Sequence, residues 1–202
     1  MKPNRKGDRH PLLFYRRTMD RVWIYTLILT ILLAAVGRWS LLRETIILGL
    51  SSEIWFEALA FLSFVISISA FLGRYSAYVQ ATESSLNLAT PFLRIKISFR
   101  RLRSVHPVLV QQLFPPAESR WAQRNYLAPF YGKTALVVEM RGYPMSTAVL
   151  RLFLPKPMFS PRSTGFVIVV SDWMRLSTEL DSFYGAWLQA QGARARAGKT
   201  LR

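Results

Sequence analysis

The chain contains no cysteine, and it has only two histidines. Without cysteine there can be no disulfide framework and no thiolate metal site, which fits a reducing compartment. His10 falls in an N-terminal arm that we expect to be flexible. His106 precedes Pro107 in a predicted strand, which favours a structural role over that of a general base.

Acidic residues are also scarce, with 11 Asp and Glu against 27 Lys and Arg. The acids beyond residue 74 form no recognisable catalytic pair and show no metal-ligand spacing. The chain also lacks a glycine-rich phosphate loop and a Gly-x-Ser-x-Gly motif. The sequence therefore predicts a protein that is not an enzyme and that has no cofactor and no metal site.

Two long apolar stretches lie near the start of the chain, at residues 22–37 and 54–73. Each approaches the roughly 20 residues that a helix needs to cross a ~30 Å hydrocarbon core. Trp23 and Trp39 border the first stretch, and Trp55 opens the second, as expected of aromatic rings at headgroup depth. This pattern predicts a transmembrane helical hairpin over residues 22–73.

Two other interpretations of the apolar stretches stay open at this stage. The first stretch follows a basic segment and ends in Ala35-Val36-Gly37, which loosely matches the cleavage pattern of a signal peptide. Either stretch also has the length of a buried core helix. The long basic segment and the second apolar stretch favour the hairpin over both.

Basic residues around the spans predict the orientation of the hairpin, because Lys and Arg close to a span resist translocation. Seven basic residues precede the first span, against two aspartates. In the connector Arg38 and Arg43 are offset by glutamates, and six basic residues, from Arg74 to Arg103, follow the second span. We therefore expect both termini in the cytoplasm, with a basic cytoplasmic arm at residues 1–21.

Beyond residue 74 the pattern becomes that of β-structure. Leu93, Ile95, Ile97 and Phe99 alternate with polar residues, which is typical of a strand with one buried face. Seven short strands are predicted, at residues 75–82, 85–90, 93–99, 104–113, 133–141, 148–154 and 165–170. An amphipathic helix follows, with Ser171 as its N-cap. The last segment, residues 191–202, is predicted to be a disordered basic tail.

Particular segments of this region resemble the opening of bacterial pleckstrin-homology-like (PH-like) domains that follow paired transmembrane helices. These segments are Tyr78-Val79-Gln80-Ala81-Thr82, Leu86-Asn87-Leu88, Thr90-Pro91-Phe92 and Arg101-Leu102-Arg103-Ser104-Val105. The resemblance covers residues 74–190 and implies a mostly-β sandwich or barrel of about seven antiparallel strands, capped by a C-terminal amphipathic helix. It also implies a bacterial inner-membrane location and a binding or assembly role, since the fold has no common catalytic centre.

A basic cluster on the predicted strands is the candidate contact surface for lipid or a partner. Residues 74–202 hold 18 basic and 6 acidic residues, and the whole chain has a net charge of +16. Such a surface attracts anionic phospholipid headgroups either by specific recognition or by general electrostatics. The candidate residues are Arg94, Lys96, Arg100, Arg101 and Arg103, with Lys133 and Arg151 as further members from other strands.

A segment rich in aromatic residues interrupts the strands at residues 114–132. Trp121, Tyr126 and Phe130 alternate irregularly with Arg120 and Arg124. One interpretation is a flap that lies on the bilayer or binds a partner. The other is a structural cover over the open end of the barrel.

These observations predict a non-catalytic, membrane-anchored interaction or scaffold module. The alternative is an accessory subunit of a larger membrane complex, whose hairpin packs on partner helices through small residues. Those residues are Ala34, Ala35, Gly37, Ser63, Ser67, Ser69, Ala70 and Gly73. Ser63, Ser67 and Ala70 fall on one helical face, which is equally suited to holding the two spans together or to forming a homo-oligomer. Nucleic acid is not a predicted partner, because the basic residues are dispersed and no RNP-like or helix-turn-helix pattern is present.

Overall fold

A computed structural model describes residues 6–41, 46–47 and 50–199 of the chain. These residues form two compact units. One is the hairpin unit, Tyr15–Ser76, and the other is the β-unit, which combines the residues before position 15 with those from position 77 onward. The hairpin is therefore inserted within the sequence of the β-unit, and the two parts of that unit are separated by about sixty residues of chain.

Among the described residues, one short strand precedes the two long helices, two lie between them, and the other six follow. In order, the helices and strands are β1 (His10–Pro11), α1 (Leu13–Leu41), β2 (Ile46–Ile47), β3 (Leu50–Ser51), α2 (Ser52–Gly73), β4 (Tyr78–Ala81), β5 (Ser85–Ala89), β6 (Arg94–Ser98), β7 (Leu102–Leu109), α3 (Val110–Leu113), α4 (Trp121–Leu127), β8 (Thr134–Met140), α5 (Thr147–Phe153), β9 (Gly165–Ile168) and α6 (Trp173–Lys199). Short 3₁₀ turns follow β6, α4 and α5.

The helices α1 and α2 are long and apolar enough to cross a membrane. They contain 29 and 22 residues, which corresponds to lengths of about 43 and 33 Å at ~1.5 Å per residue. Only 6% and 22% of their most apolar windows are buried within the protein. The interpretation of these stretches as core helices is therefore wrong, because a core helix would be mostly covered.

Small residues of α2 pack directly on α1. The Ser63 hydroxyl donates a hydrogen bond to the carbonyl of Thr26 at 2.9 Å, and the Ser67 hydroxyl donates to that of Trp23 at 3.0 Å. One face of α2 is buried through five such residues: Ala60, Ser63, Ser67, Ala70 and Gly73. Of the three uses that the sequence left open for this face, the structure describes contact between the two helices of the hairpin.

The β-unit is built from two antiparallel sheets. The four-stranded sheet has the order β1-β4-β5-β6, and the three-stranded sheet has the order β7-β8-β9. Alternation fixes the faces: on β6, Ile95 and Ile97 are buried while Arg94 and Lys96 are exposed. Helix α6 packs Leu176 and Leu180 into the core, where both are almost completely buried.

The strand β1 comes from the predicted arm and completes the four-stranded sheet. It pairs antiparallel with β4. The Gly7 amide donates to the Ala81 carbonyl at 2.9 Å, and the Leu12 amide donates to the Ala77 carbonyl at 3.2 Å. The prediction of a separate arm over residues 1–21 is therefore wrong for the described residues 6–21, because this part of the chain forms a sheet strand and the start of α1. A signal peptide cleaved near residue 37 would also remove β1.

Charged groups attach the same segment to α6. The Asp8 amide donates to the Glu179 carboxylate at 3.1 Å, and the Asp8 carboxylate pairs with Arg175. The Nε2 atom of His10 lies 3.4 Å from Glu179 Oε2, and the His10 side chain is 6% exposed. His10 is thus a buried strand residue and not part of a flexible arm.

Most predicted strands are present, with shorter bounds, and one is wrong. Instead of the strand predicted at 148–154, the chain forms helix α5 (Thr147–Phe153), whose N-cap Ser146 accepts a hydrogen bond from the Val149 amide at 3.5 Å. The strand predicted at 104–113 corresponds to β7, which ends at Leu109, and α3 begins at Val110. The seventh strand of the two sheets is β1, which replaces the one predicted at 148–154.

The C-terminal helix is present as predicted but has a different start and end. Its N-cap is Asp172, not Ser171, because the Asp172 carboxylate accepts a hydrogen bond from the Arg175 amide at 3.0 Å. The helix continues to Lys199, so the disorder predicted from residue 191 is wrong for the described part of the tail. Alanine, glutamine and arginine there have high helix propensity. Residues 200–202 lie outside the described chain.

The aromatic segment at residues 114–132 is packed into the β-unit. Leu127 and Phe130 are buried, and Phe130 meets Phe14 edge-on at 4.9 Å between ring centroids. The Tyr126 hydroxyl donates to the Phe14 carbonyl at 2.6 Å, while Trp121 remains 72% exposed. These contacts favour the structural cover over the flap.

Candidate functional site

The five predicted contact residues do not form one patch on the fold. Arg94 and Lys96 lie on β6, at the edge of the four-stranded sheet. Arg100 and Arg101 lie in the 3₁₀ turn that connects the two sheets, and Arg103 lies on β7. The structure therefore places Arg94 and Lys96 on one surface, which we name the outer sheet face, and Arg103 on another, which we name the basic cavity. Arg100 and Arg101 line neither surface.

The outer sheet face is the exposed side of the four-stranded sheet. Lys96 lies opposite Asn87, and Asn87 lies opposite Gln80, so one polar row crosses three strands. The adjacent row joins Arg94, Ala89 and Tyr78 in the same way. The guanidinium group of Arg9 lies over the Tyr78 ring, 4.7 Å from its centroid. Strands β1, β4, β5 and β6, all within the described chain, contain no Asp or Glu, so this face is cationic.

The basic cavity has a volume of about 580 Å³ and opens where β8 ends and β9 begins. Three arginines, one glutamate and two hydroxyl residues supply its polar lining: Arg103, Arg141, Arg162, Glu139, Ser163 and Thr164. Arg101 adjoins it through the backbone, because its carbonyl accepts a hydrogen bond from the Arg141 amide at 2.9 Å. Lys133 lies near the other end of β8, and Arg151 lies on α5, so neither belongs to the lining.

Pairing of β8 with β9 assembles the cavity. Glu139 lies opposite Gly165, and the Met140 amide donates to the Thr164 carbonyl at 2.8 Å. A Cβ atom on Gly165 would lie 2.4 Å from the carbonyl oxygen of Val138, closer than real Cβ contacts allow. Glycine at this position therefore permits the close approach that brings residues 162–164 beside the end of β8.

Glu139 is held as a carboxylate within the cavity. The Ser104 hydroxyl donates to its Oε2 atom at 2.7 Å. This bond and a second one from Ser163 lower the pKa of Glu139, and the charges of His106 and Arg103 act in the same direction against the opposing effect of desolvation. The cavity therefore holds three permanent positive charges around one fixed negative charge at neutral pH.

Arg141, Arg162 and Ser163 were not among the predicted site residues. The signal that identifies them is the antiparallel pairing of the strands at 134–140 and 165–168, which brings the residue after one strand next to the residues before the other. The incorrect strand at 148–154 lay between these two segments in the prediction. It concealed their pairing and therefore the cavity.

Among the described residues there is no group of three or more His, Asp or Glu side chains that could hold a metal ion. Comparison of the chain with models of protein families, with curated proteins and with solved structures finds no match.

The lowered pKa of Glu139 predicts a stability difference that depends on pH. Because the folded state lowers this pKa, the stabilisation is present above the ordinary glutamate value of about 4.3 and is lost as the pH falls through the lower folded value. We expect Glu139→Gln to lower the melting temperature at pH 7. Under acid, the melting temperatures of the variant and the parent protein should become similar. Thermal unfolding from pH 7 to about pH 3 measures this, with the exposed Glu118→Gln as the control. A difference that stays constant across this range would contradict the prediction.

Proposed function

We propose that this protein is a non-catalytic interaction module of the bacterial inner membrane. Two spans anchor it, and its PH-like domain faces the cytoplasm and contacts anionic surfaces. The resemblance to PH-like domains is supported by the order of elements, since sheets of four and three antiparallel strands precede a long amphipathic helix. The membrane location is supported by two helices of sufficient length and apolar character.

The observation that carries the proposal is the pairing of β1 with β4. The chain leaves the β-unit after Phe14 and returns to it at Ala77, and the backbones of Leu12 and Ala77 are hydrogen-bonded. A chain that leaves a domain and re-enters it between paired strands is expected to return on the side of the bilayer from which it left. The pairing therefore supports an even number of membrane crossings, and this support does not draw on the positive-inside rule. Basic residues on both sides of the hairpin support the cytoplasmic side.

The alternative, an accessory subunit of a larger complex, receives less support from the structure. It drew on small residues of both spans. Ser63 and Ser67 of α2 are occupied by α1, whereas Ala34, Ala35 and Ser69 remain exposed. The outer sheet face offers an exposed set of cations instead. Near an anionic membrane each Lys or Arg contributes about 1 kcal/mol, and this attraction falls off within a Debye length of about 8 Å at physiological salt.

Single cysteines test the topology, because the native chain has none. We expect Ser52→Cys, at the start of α2, to react with a membrane-impermeant maleimide in intact cells. Asn4→Cys and Ser84→Cys, before and after the hairpin, should react only after the membrane is opened. Reaction of Asn4→Cys and Ser84→Cys on opposite sides would contradict the hairpin. Protection of Ser52→Cys with labelling of both others would contradict the cytoplasmic location.

Charge removal tests the role of the outer sheet face. The full chain is placed in nanodiscs with an environment-sensitive fluorophore on Asn87→Cys, which lies beside Lys96 in the sheet register. We expect a spectral shift in anionic discs, relative to zwitterionic ones, that disappears at high salt and is reduced at least about twofold by Arg94→Gln with Lys96→Gln. The control, Lys133→Gln with Lys156→Gln, removes the same charge elsewhere. Equal effects of the two double variants would refute a role specific to this face.

A further inference from the structure

The basic cavity differs from the outer sheet face in shape as well as position. Its volume of about 580 Å³ lies within the range of about 300–1,000 Å³ that is usual for small-ligand sites. Such sites are mostly lined by apolar side chains, whereas this lining is dominated by guanidinium, carboxylate and hydroxyl groups. A ligand that fits the cavity must therefore be charged and rich in hydrogen-bond acceptors.

The net charge of the lining indicates the charge of the ligand that would fit it. Three guanidinium groups and one ionised carboxylate leave two positive charges uncompensated. A phosphomonoester carries about −1.5 to −2 charges at pH 7 and presents three acceptor oxygens. Guanidinium forks bind such oxygens in a bidentate manner, which Lys cannot do. A dianionic phosphate thus matches the lining in both charge and hydrogen-bonding geometry.

The groups that would contact phosphate have few internal partners. Within the described chain the guanidinium groups of Arg103 and Arg141 make no hydrogen bond to protein, whereas Arg162 Nη2 donates to the Gln112 carbonyl at 3.1 Å. The carboxylate of Glu139 is different, because it accepts a hydrogen bond from the Ser104 hydroxyl of β7 at 2.7 Å. Glu139 is therefore attached to the neighbouring strand, while two guanidinium groups keep all their donors for a ligand.

We propose that the basic cavity binds a phosphate group, with Arg103, Arg141 and Arg162 as its cationic ligands. The cavity lies wholly within the β-unit, so the inference goes beyond the proposed anchoring function and does not depend on it. The phosphate belongs either to a soluble phosphomonoester or to a lipid headgroup such as that of phosphatidic acid. Both present the same terminal phosphate chemistry.

Calorimetric titration of the full chain in nonionic detergent tests the proposal. The probes are inorganic phosphate, glycerol 3-phosphate and dioctanoyl phosphatidic acid, with chloride at equal ionic strength as the reference. We expect saturable binding of at least one probe. Arg103→Gln with Arg141→Gln should raise its Kd about tenfold or more for each guanidinium removed. The matched control, Arg124→Gln with Lys156→Gln, removes the same charge at exposed positions outside both the cavity and the outer sheet face, and it should change the Kd by less than about twofold.

The titrations distinguish the two sources of phosphate from each other. They also show whether the proposed site exists. Binding of the soluble phosphates assigns a soluble ligand, and binding of phosphatidic acid alone assigns a headgroup. Equal weakening by the two charge variants, or no saturable binding of any probe, would overturn the site. If the glutamine variant does not fold, Arg103→Lys with Arg141→Lys retains the charge and should still raise the Kd, because the bidentate contact is lost. The maleimide labelling of the hairpin does not depend on any of these results.

Discussion

The pairing of β1 with β4 is the interaction on which the rest of the structure depends. Two backbone hydrogen bonds, from Gly7 and Leu12, flank the pairing of His10 and Pro11 with β4 and place this segment at the edge of the four-stranded sheet. The Asp8 and His10 contacts with Glu179 then attach this strand to α6. Without β1, strand β4 would lie at the edge of the sheet and would expose unpaired backbone groups, which natural sheets avoid. Although β1 has only two residues, it completes the sheet and connects it to helix α6.

The position of the hairpin in the chain is linked to this pairing. Because α1 begins directly after β1 and α2 ends shortly before β4, the long helices occupy the connection between two neighbouring strands. The small-residue face of α2 is used within the hairpin, through Ser63 and Ser67. The exposed cationic surfaces of the described β-unit are the outer sheet face with Arg94 and Lys96, and the basic cavity. The proposed contact of the anchored module with anions depends on these two surfaces.

Local sequence patterns predicted the parts of the fold that have a strong period. The alternation around Ile95 and Ile97 identified β6, and the length of the apolar runs identified α1 and α2. Long-range pairing was beyond reach. A two-residue strand such as β1 has no period to detect, so His10 was assigned to a flexible arm. The apolar run that contains Val149, Leu150 and Leu152 predicted a strand, but the structure has helix α5 there, capped by Ser146. That one error hid the β8–β9 pairing, and with it Arg141 and Arg162, while Arg103 was found from sequence.

The most direct test of the account is the folding of the β-unit with and without β1. Two proteins without residues 15–76 are compared: one joins Phe14 to Ala77 through a short glycine-serine linker, and the other begins at Ala77. The account predicts that the first is water-soluble and unfolds in a single cooperative thermal transition. The second should unfold at a clearly lower temperature or fail to fold, because β4 has lost its partner strand and α6 has lost Asp8 and His10. Equal melting temperatures for the two proteins would contradict the central role of the β1–β4 pairing.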